Sequence, residues 1–336
     1  MAGAGACIGE PHTIAGSGAL APVRAKRRFA PLPNRDRALV CQHAAAILSL
    51  LRTSETRARL AAGWAVKRAV ELLEATRLAI AGVYGRGNTD ALLPPRRLRA
   101  RTGGAGAVQF VQGGRDAAAE LALGVETAGL SMDSVRAVLD FGCGSGRVLP
   151  HVAALAPHVR CFGCDVDPSA IAWAARHRPE LSWALSSSEP PLPYAEQSFD
   201  LVYSISVFSH LDEALQDRWL QELGRILAPG GAALLSVHGS HALDEFRAGH
   251  ATTSWCRSDA FARGSLGPGE FVFEPYTRSL WNRSELPGVS GRYGLTFHGG
   301  EYLRRHWSQW LDVVEVRERA ISGWQDLVVC RRPAAS

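Results

Sequence analysis

The stretch Val138-Leu139-Asp140-Phe141-Gly142-Cys143-Gly144-Ser145-Gly146 constrains this chain more than any other. A short apolar run over Arg136–Asp140 has the length and character of a buried strand, and a helix is predicted from about Arg147. Glycines at 142, 144 and 146 let the backbone turn sharply and approach a ligand closely. A helix that begins just after such a turn aims its free N–H groups at the same place. Two familiar phosphate cradles fit poorly. A dinucleotide loop reads G-x-G-x-x-G and would need its last glycine at position 147, which is Arg147; a P-loop needs G-K-[ST], which is absent.

Strand–turn–helix alternation continues beyond this loop. Strands are predicted over 159–164, 181–185, 199–204 and 232–237, with two closing strands over 313–316 and 326–330. Helices are predicted over 169–177, opened by Asp167-Pro168, and over 212–227, where Leu215, Trp219, Leu220, Leu223, Ile226 and Leu227 form one apolar stripe. A further helix is predicted over 300–310. The alternation predicts an α/β fold: a Rossmann-like, seven-stranded, mostly parallel sheet with helices on both faces, plus an N-terminal helical extension. Ligands of such sheets bind beyond the carboxyl ends of the strands at a switch point. The loops after Asp140, Asp165, Ser204 and Val237 are therefore expected around one cleft.

Asp165 ends the second predicted strand, 25 residues beyond Asp140. A carboxylate about 20 residues past a glycine-rich turn is where ribose hydroxyls are held, because it accepts two O–H bonds. A helix cap just before Pro168 is the alternative role.

Four motifs in order carry a resemblance. Val138 to Arg147 looks like motif I of class I methyltransferases, and Gly163-Cys164-Asp165-Val166-Asp167 resembles their acidic second-strand motif. Pro190-Pro191-Leu192-Pro193-Tyr194 with Ser198-Phe199-Asp200-Leu201-Val202 is similar to their adenine-side loop and fourth strand. Glu222-Leu223 with Arg225-Ile226-Leu227-Ala228-Pro229-Gly230-Gly231 looks like their turn into the fifth strand. The resemblance spans about residues 135–237, and more loosely 299–332. Ser206-Val207-Phe208-Ser209-His210-Leu211 is similar to a bacterial small-molecule subgroup.

The resemblance implies S-adenosyl-L-methionine as cofactor and methyl transfer as the activity. By position it implies that Asp140, Phe141, Gly142, Cys143, Gly144 and Gly146 contact the methionine part. Asp165 would bind the ribose, Val166 would flank the adenine, Ser186 would meet its amino group, and Ser206 would line the cleft. No metal is implied. A hydroxyl acceptor needs a base, and His210 after the fourth strand and His238 after the fifth are the candidates, since histidine titrates near working pH. A helix cap for His210 and a loop hydrogen bond for His238 are the alternatives. His241 and Tyr276 are weaker candidates.

Residues 1–35 read as a disordered tail and 36–115 as a basic helical extension with a linker or lid. Residues 116–336 read as the methyltransferase domain, with an insertion at 239–295 that carries Trp255, Phe261, Phe271, Phe273, Tyr276 and Trp281. In the extension, helices are predicted over 36–51 and from Ser54. The first 115 residues hold 18 Lys and Arg against 6 Asp and Glu, so the net charge of +5 hides a basic N-terminal third. Docking on an acidic domain explains this, and an anionic partner such as RNA is the sharper reading. Arg99 or Arg101 could meet the cofactor carboxylate.

Seven cysteines without a regular frame fit a reducing cytosol, and Cys161-x-x-Cys164 lies within a predicted strand. No apolar run reaches the 18 residues of a membrane span. The expectation is a cytoplasmic enzyme acting on a small-molecule acceptor. An RNA or protein methyltransferase and a non-catalytic cofactor-binding subunit are the alternatives.

Overall fold

The computed structural model describes residues 93–102, 106–248, 265–276 and 292–334. All belong to one compact unit, Val66–Ser336. The tail, the helices expected over 36–51 and from Ser54, and Trp255, Phe261 and Trp281 lie outside the described residues.

A short helical turn, α1 (Arg96–Arg99), precedes a long helix, α2 (Ala107–Thr127). Five strands and three helices follow: β1 (Ala137–Phe141), α3 (Leu149–Leu155), β2 (Arg160–Asp165), α4 (Pro168–His177), β3 (Ser182–Leu185), β4 (Phe199–Ser204), α5 (Glu213–Ile226) and β5 (Leu227–Val237). Then come α6 (Ser240–Arg247), β6 (Phe271–Pro275), β7 (Gly294–His298), α7 (Gly300–His306), β8 (Asp312–Ile321) and β9 (Gln325–Arg331). The main sheet has seven strands in the order β3-β2-β1-β4-β5-β9-β8. β1 to β5 pair in parallel, and β9 turns antiparallel against β5 and β8. Strand order reverses between β1 and β4, so the loops leaving these two strands flank the switch point where open α/β sheets bind ligands.

Helices cover both faces and make two core layers. On one, α5 lays Leu215, Trp219, Leu220, Leu223 and Ile226 against β1, β4 and β5, together with Trp307. Each such side chain removed from water contributes about 1.5–3 kcal/mol. The Asp212 carboxylate caps this helix by accepting from Leu215 N at 2.8 Å. On the other layer, α2 and α3 bury Ala117, Leu121, Val125, Leu149 and Val152. Cys161 lies in this second layer and Cys164 in the first, on opposite faces of β2.

Three elements depart from the sequence expectations. Residue 115 falls inside α2, which runs unbroken to Thr127. Gly113-Gly114 look like linker residues but serve packing: a Cβ on Gly114 would lie 2.1 Å from the Arg147 carbonyl oxygen. β5 begins at Leu227 rather than 232, because Phe199 pairs with Leu227 across an irregularity before regular pairing resumes at Leu201. The insertion contains a two-stranded sheet of β6 and β7. Single bridges, His238 to Phe297 and Leu211 to Tyr293, fasten that sheet beside the carboxyl ends of β5 and β4. No helix among the described residues is long and apolar enough to cross a membrane.

Candidate active site

β1 delivers Asp140 to the head of the glycine loop almost fully buried. The Tyr203 hydroxyl on β4 donates to its Oδ2 at 3.0 Å. Burial raises the Asp140 carboxyl to about 7, the Tyr203 bond and the Arg147 charge pull it down, and Asp165 adds to the rise. The loop then turns through glycines in the left-handed region, with φ of 79° at Gly142 and 54° at Gly144. Space as well as conformation demands glycine at 144, since a Cβ there would lie 2.2 Å from Thr102 Cγ2. Cys143 Sγ donates to the Gly144 carbonyl at 3.5 Å, and the Phe141 ring lies in the core. The Phe141 ring packs 4.6 Å from Trp219, and the Cys143 thiol is buried and pushed well above its ordinary value by that burial.

The end of β2 is tied to this loop. Asp165 Oδ2 accepts from Gly144 N at 2.7 Å, and its Oδ1 accepts from Asp167 N at 2.8 Å. Burial raises the Asp165 carboxyl, and these backbone bonds partly offset the rise. Each oxygen keeps a lone pair for a hydroxyl. Val166 is half-buried beside it, and Ser186 N donates to the Asp165 carbonyl at 3.0 Å. The Ser145 and Ser186 hydroxyls are buried with no hydrogen-bond partner among the described residues. Buried hydroxyls are normally satisfied, so the site has unspent capacity on both sides of Asp165. A ligand with ribose hydroxyls, a base amine and a polar amino-acid end fits that donor and acceptor set.

On the other side of the switch point, Ser206 stands just past β4 at φ 62°, a left-handed conformation unusual for serine. Its N–H donates to Ser236 Oγ at 2.7 Å, and its hydroxyl donates to Gln325 Oε1 at 3.1 Å. Ser236 Oγ donates to the same oxygen at 2.7 Å. Two hydroxyls thus fix the Gln325 oxygen, and its amide donates to His238 Nε2 at 3.2 Å. The sequence pattern does not signal this network, because Gln325 lies 119 positions from Ser206.

His210 and His238 meet, their rings at right angles with centroids 5.6 Å apart. His210 Nδ1 is 3.1 Å from the Gly294 carbonyl and 2.7 Å from Tyr276 Oη. A carbonyl can only accept, so this contact selects the Nδ1–H tautomer and leaves the lone pair on Nε2. Burial lowers the His210 value, and the Gly294 bond partly opposes that. His238 is pushed well below its ordinary value by burial, with His210 and His298 adding to the fall. Both rings are therefore neutral at neutral pH, but His238 Nε2 is engaged by Gln325 and His210 Nε2 is not fixed by its Gly294 contact. His241 sits apart, its ring 6.4 Å from Trp324.

Two charged ties missed by the sequence reading shape the walls. Glu222 on α5 accepts from Leu192 N at 2.7 Å and from Arg225 Nε at 2.8 Å, so it holds the Pro190–Leu192 loop. Arg292 grips the Asp212 carboxylate through Nε at 2.8 Å and Nη2 at 3.1 Å, and reaches Glu189 at 3.4 Å. It ties the insertion to the start of α5. Arg99 bonds the Pro94 carbonyl at 2.7 Å, while Arg101 pairs with Asp167.

Residues 138–231 match the sequence profile of a methyltransferase domain. Over 102 residues the chain is 32% identical to a malonyl-[acyl-carrier protein] O-methyltransferase of Hahella chejuensis, covering 30% of this chain and 36% of that one. It is 30% identical over 151 residues to a tRNA (carboxymethyluridine(34)-5-O)-methyltransferase of Arabidopsis thaliana, covering 44% and 35%. It is 29% identical over 106 residues to a trans-aconitate 2-methyltransferase of Methylobacterium radiotolerans, covering 32% and 39%. The chain thus spans well under half the length of these relatives.

Proposed function

We propose that this chain, whose residues 138–231 form a class I methyltransferase domain that uses S-adenosylmethionine, transfers a methyl group to an oxygen or nitrogen atom of a small molecule. The observation that carries this reading is His210: a half-buried neutral imidazole with its tautomer set by Gly294, beyond the same strand ends as the glycine loop. It can take a proton from an acceptor hydroxyl through Nε2.

When bound, the cofactor supplies a methyl group made electrophilic by a sulfonium sulfur. The chain supplies position and proton handling. Gly142 to Gly146 turn the backbone around the methionine end, with Asp140 as its carboxylate. Asp165 takes the ribose hydroxyls, Val166 flanks the adenine, and Ser186 accepts from its amine. Ser206, held in its left-handed conformation by Ser236 and Gln325, lines the cleft between the two halves. Holding an acceptor in line with the methyl supplies most of the rate. Tyr276 and Gly294 orient His210, and His238 anchors Gln325, a positioning role.

Calorimetry with S-adenosylhomocysteine tests the premise: the chain binds it, and Asp165→Ala folds but does not. Absence of binding to the intact chain refutes the reading. A labelled-methyl screen over hydroxylated and amine small molecules, and over RNA, then identifies the acceptor. One observation favours RNA as a second reading, the excess of 18 basic over 6 acidic residues in positions 1–115. RNA binding that survives deletion of residues 1–101 removes its rationale.

A further inference from the structure

We propose that Pro94–Thr102 is a strap across the cofactor loop, and that the ion pair between Arg101 and Asp167 is the latch that sets how fast cofactor enters and leaves. The proposal rests on the cofactor reading given above.

The strap is a small folded unit. Leu98 on α1 is buried, Arg99 Nη1 donates back to the Pro94 carbonyl at 2.7 Å, and Thr102 Oγ1 donates to the Arg99 carbonyl at 3.1 Å. Two contacts bring it to the site. Thr102 Cγ2 fills the space that a side chain at Gly144 would occupy, 2.2 Å from that Cβ position. Arg101 Nη1 pairs with Asp167 Oδ2. Asp167 is buried and its N–H holds Asp165 Oδ1 at 2.8 Å, so the latch stands one hydrogen bond from the ribose carboxylate.

The two halves of the latch differ in mobility by construction. Asp167 is a fixed post, because its Oδ1 caps α4 by accepting from Ser169 N at 2.9 Å and Ala170 N at 3.3 Å. That cap does not need Arg101. The arginine side chain is 32% exposed against 5% for its partner, so it can leave for water while the aspartate stays. A ligand seated on Gly144 and Asp165 would lie against the edge that Thr102 and Arg101 cover.

Stopped-flow fluorescence with S-adenosylhomocysteine and the full chain tests this. Arg101→Gln removes the cation, and Asp167→Asn removes the anion while keeping a good N-cap. Each variant should raise association and dissociation rates together by about fivefold and leave Kd within about twofold, the scale of a partly exposed ion pair. Arg101→Lys should restore slow exchange in part. Raising ionic strength from about 50 to about 500 mM should speed exchange in the unmodified chain and not in the variants, because salt screens the pair. Unchanged rates in both variants overturn the latch. Faster dissociation with unchanged association also overturns it, since Arg101 would then hold the ligand directly. No binding to the unmodified chain is a different failure, that of the cofactor reading itself.

Discussion

Asp140 should make cofactor affinity depend on pH in a direction fixed by its burial. In the free protein its carboxyl titrates near 7, against an ordinary value of 3.8. A sulfonium cation arriving at the glycine loop favours the ionised carboxylate, so binding draws the proton off. Ionisation of the free site falls from about nine-tenths at pH 8 to about one-tenth at pH 6. Affinity for S-adenosylmethionine should therefore weaken about tenfold over that interval, or ~1.4 kcal/mol, and level off above pH 8. S-adenosylhomocysteine has a neutral sulfur and should show a shallower slope. Asp140→Asn keeps an acceptor for the Tyr203 hydroxyl and cannot ionise, so its affinity should be flat between pH 6 and 8. Calorimetry at four or so pH values reads all three curves. A flat curve for the unmodified chain, or a slope retained in Asp140→Asn, refutes the assignment.

The same carboxyl acts on stability with the opposite consequence. Between pH 3.8 and about 7 the folded chain keeps a proton that the unfolded chain has released. Stability therefore falls as pH rises, by ~1.4 kcal/mol per unit and roughly 4 kcal/mol across the window. His210, His238 and His298 are lowered by burial, so their contributions fade as pH drops below 6.5. The two trends oppose each other in the unmodified chain. The difference in urea stability between Asp140→Asn and the unmodified chain isolates the first, and it should grow from pH 5 to pH 8.

Gly144→Ala places a methyl 2.2 Å from Thr102 at φ 54°, and should cost about 1–3 kcal/mol of stability and at least about tenfold in cofactor affinity, read by thermal melts and calorimetry. His210→Gln should lower kcat on a hydroxyl acceptor by about 10²–10⁴ while leaving S-adenosylhomocysteine affinity within about twofold. In the unmodified chain the rate should be level from about pH 7 to 9 and decline only below 6.5, because burial holds His210 below that value. Trp219→Ala should cost about 3–5 kcal/mol in urea unfolding, since Trp219 is fully buried beneath Phe141.

The main sheet is legible in the sequence because its strands are short apolar runs between turn residues, and helical spacing fills the gaps. The helix over 212–227 is clearest for the same reason: a single apolar stripe and an Asp212 cap. Misreadings arise where one residue type serves two ends. Gly113 and Gly114 look like a linker and instead let α2 approach Arg147, so the element boundary at 115 dissolves. Pro229-Gly230-Gly231 looks like a stop, yet β5 already includes Leu227, paired with Phe199. β6 and β7 carry alternation too weak to read, because their stability comes from pairing with each other and from bridges at Leu211 and His238.

The two halves of the site differ in legibility for a physical cause. The glycine loop works through backbone shape, and shape at positive φ leaves a mark in residue type: glycine at 142, 144 and 146. Its partner Asp165 sits at a strand end, where alternation places it. The acceptor half works through side chains brought together from three strands. Ser206 after β4, Ser236 and His238 at the end of β5, and Gln325 on β9 share one hydrogen-bond chain, and no spacing rule links the three strands. Yet the halves are mechanically joined. Ser206 holds a left-handed φ of 62° that costs on the order of 1–3 kcal/mol, and Ser236 and Gln325 keep it there. Its neighbour Val207 packs its Cγ2 directly on Gly142. Changes that break the Gln325 bonds should therefore reach the cofactor loop through Ser206 and Val207, although Gln325 is on the last strand.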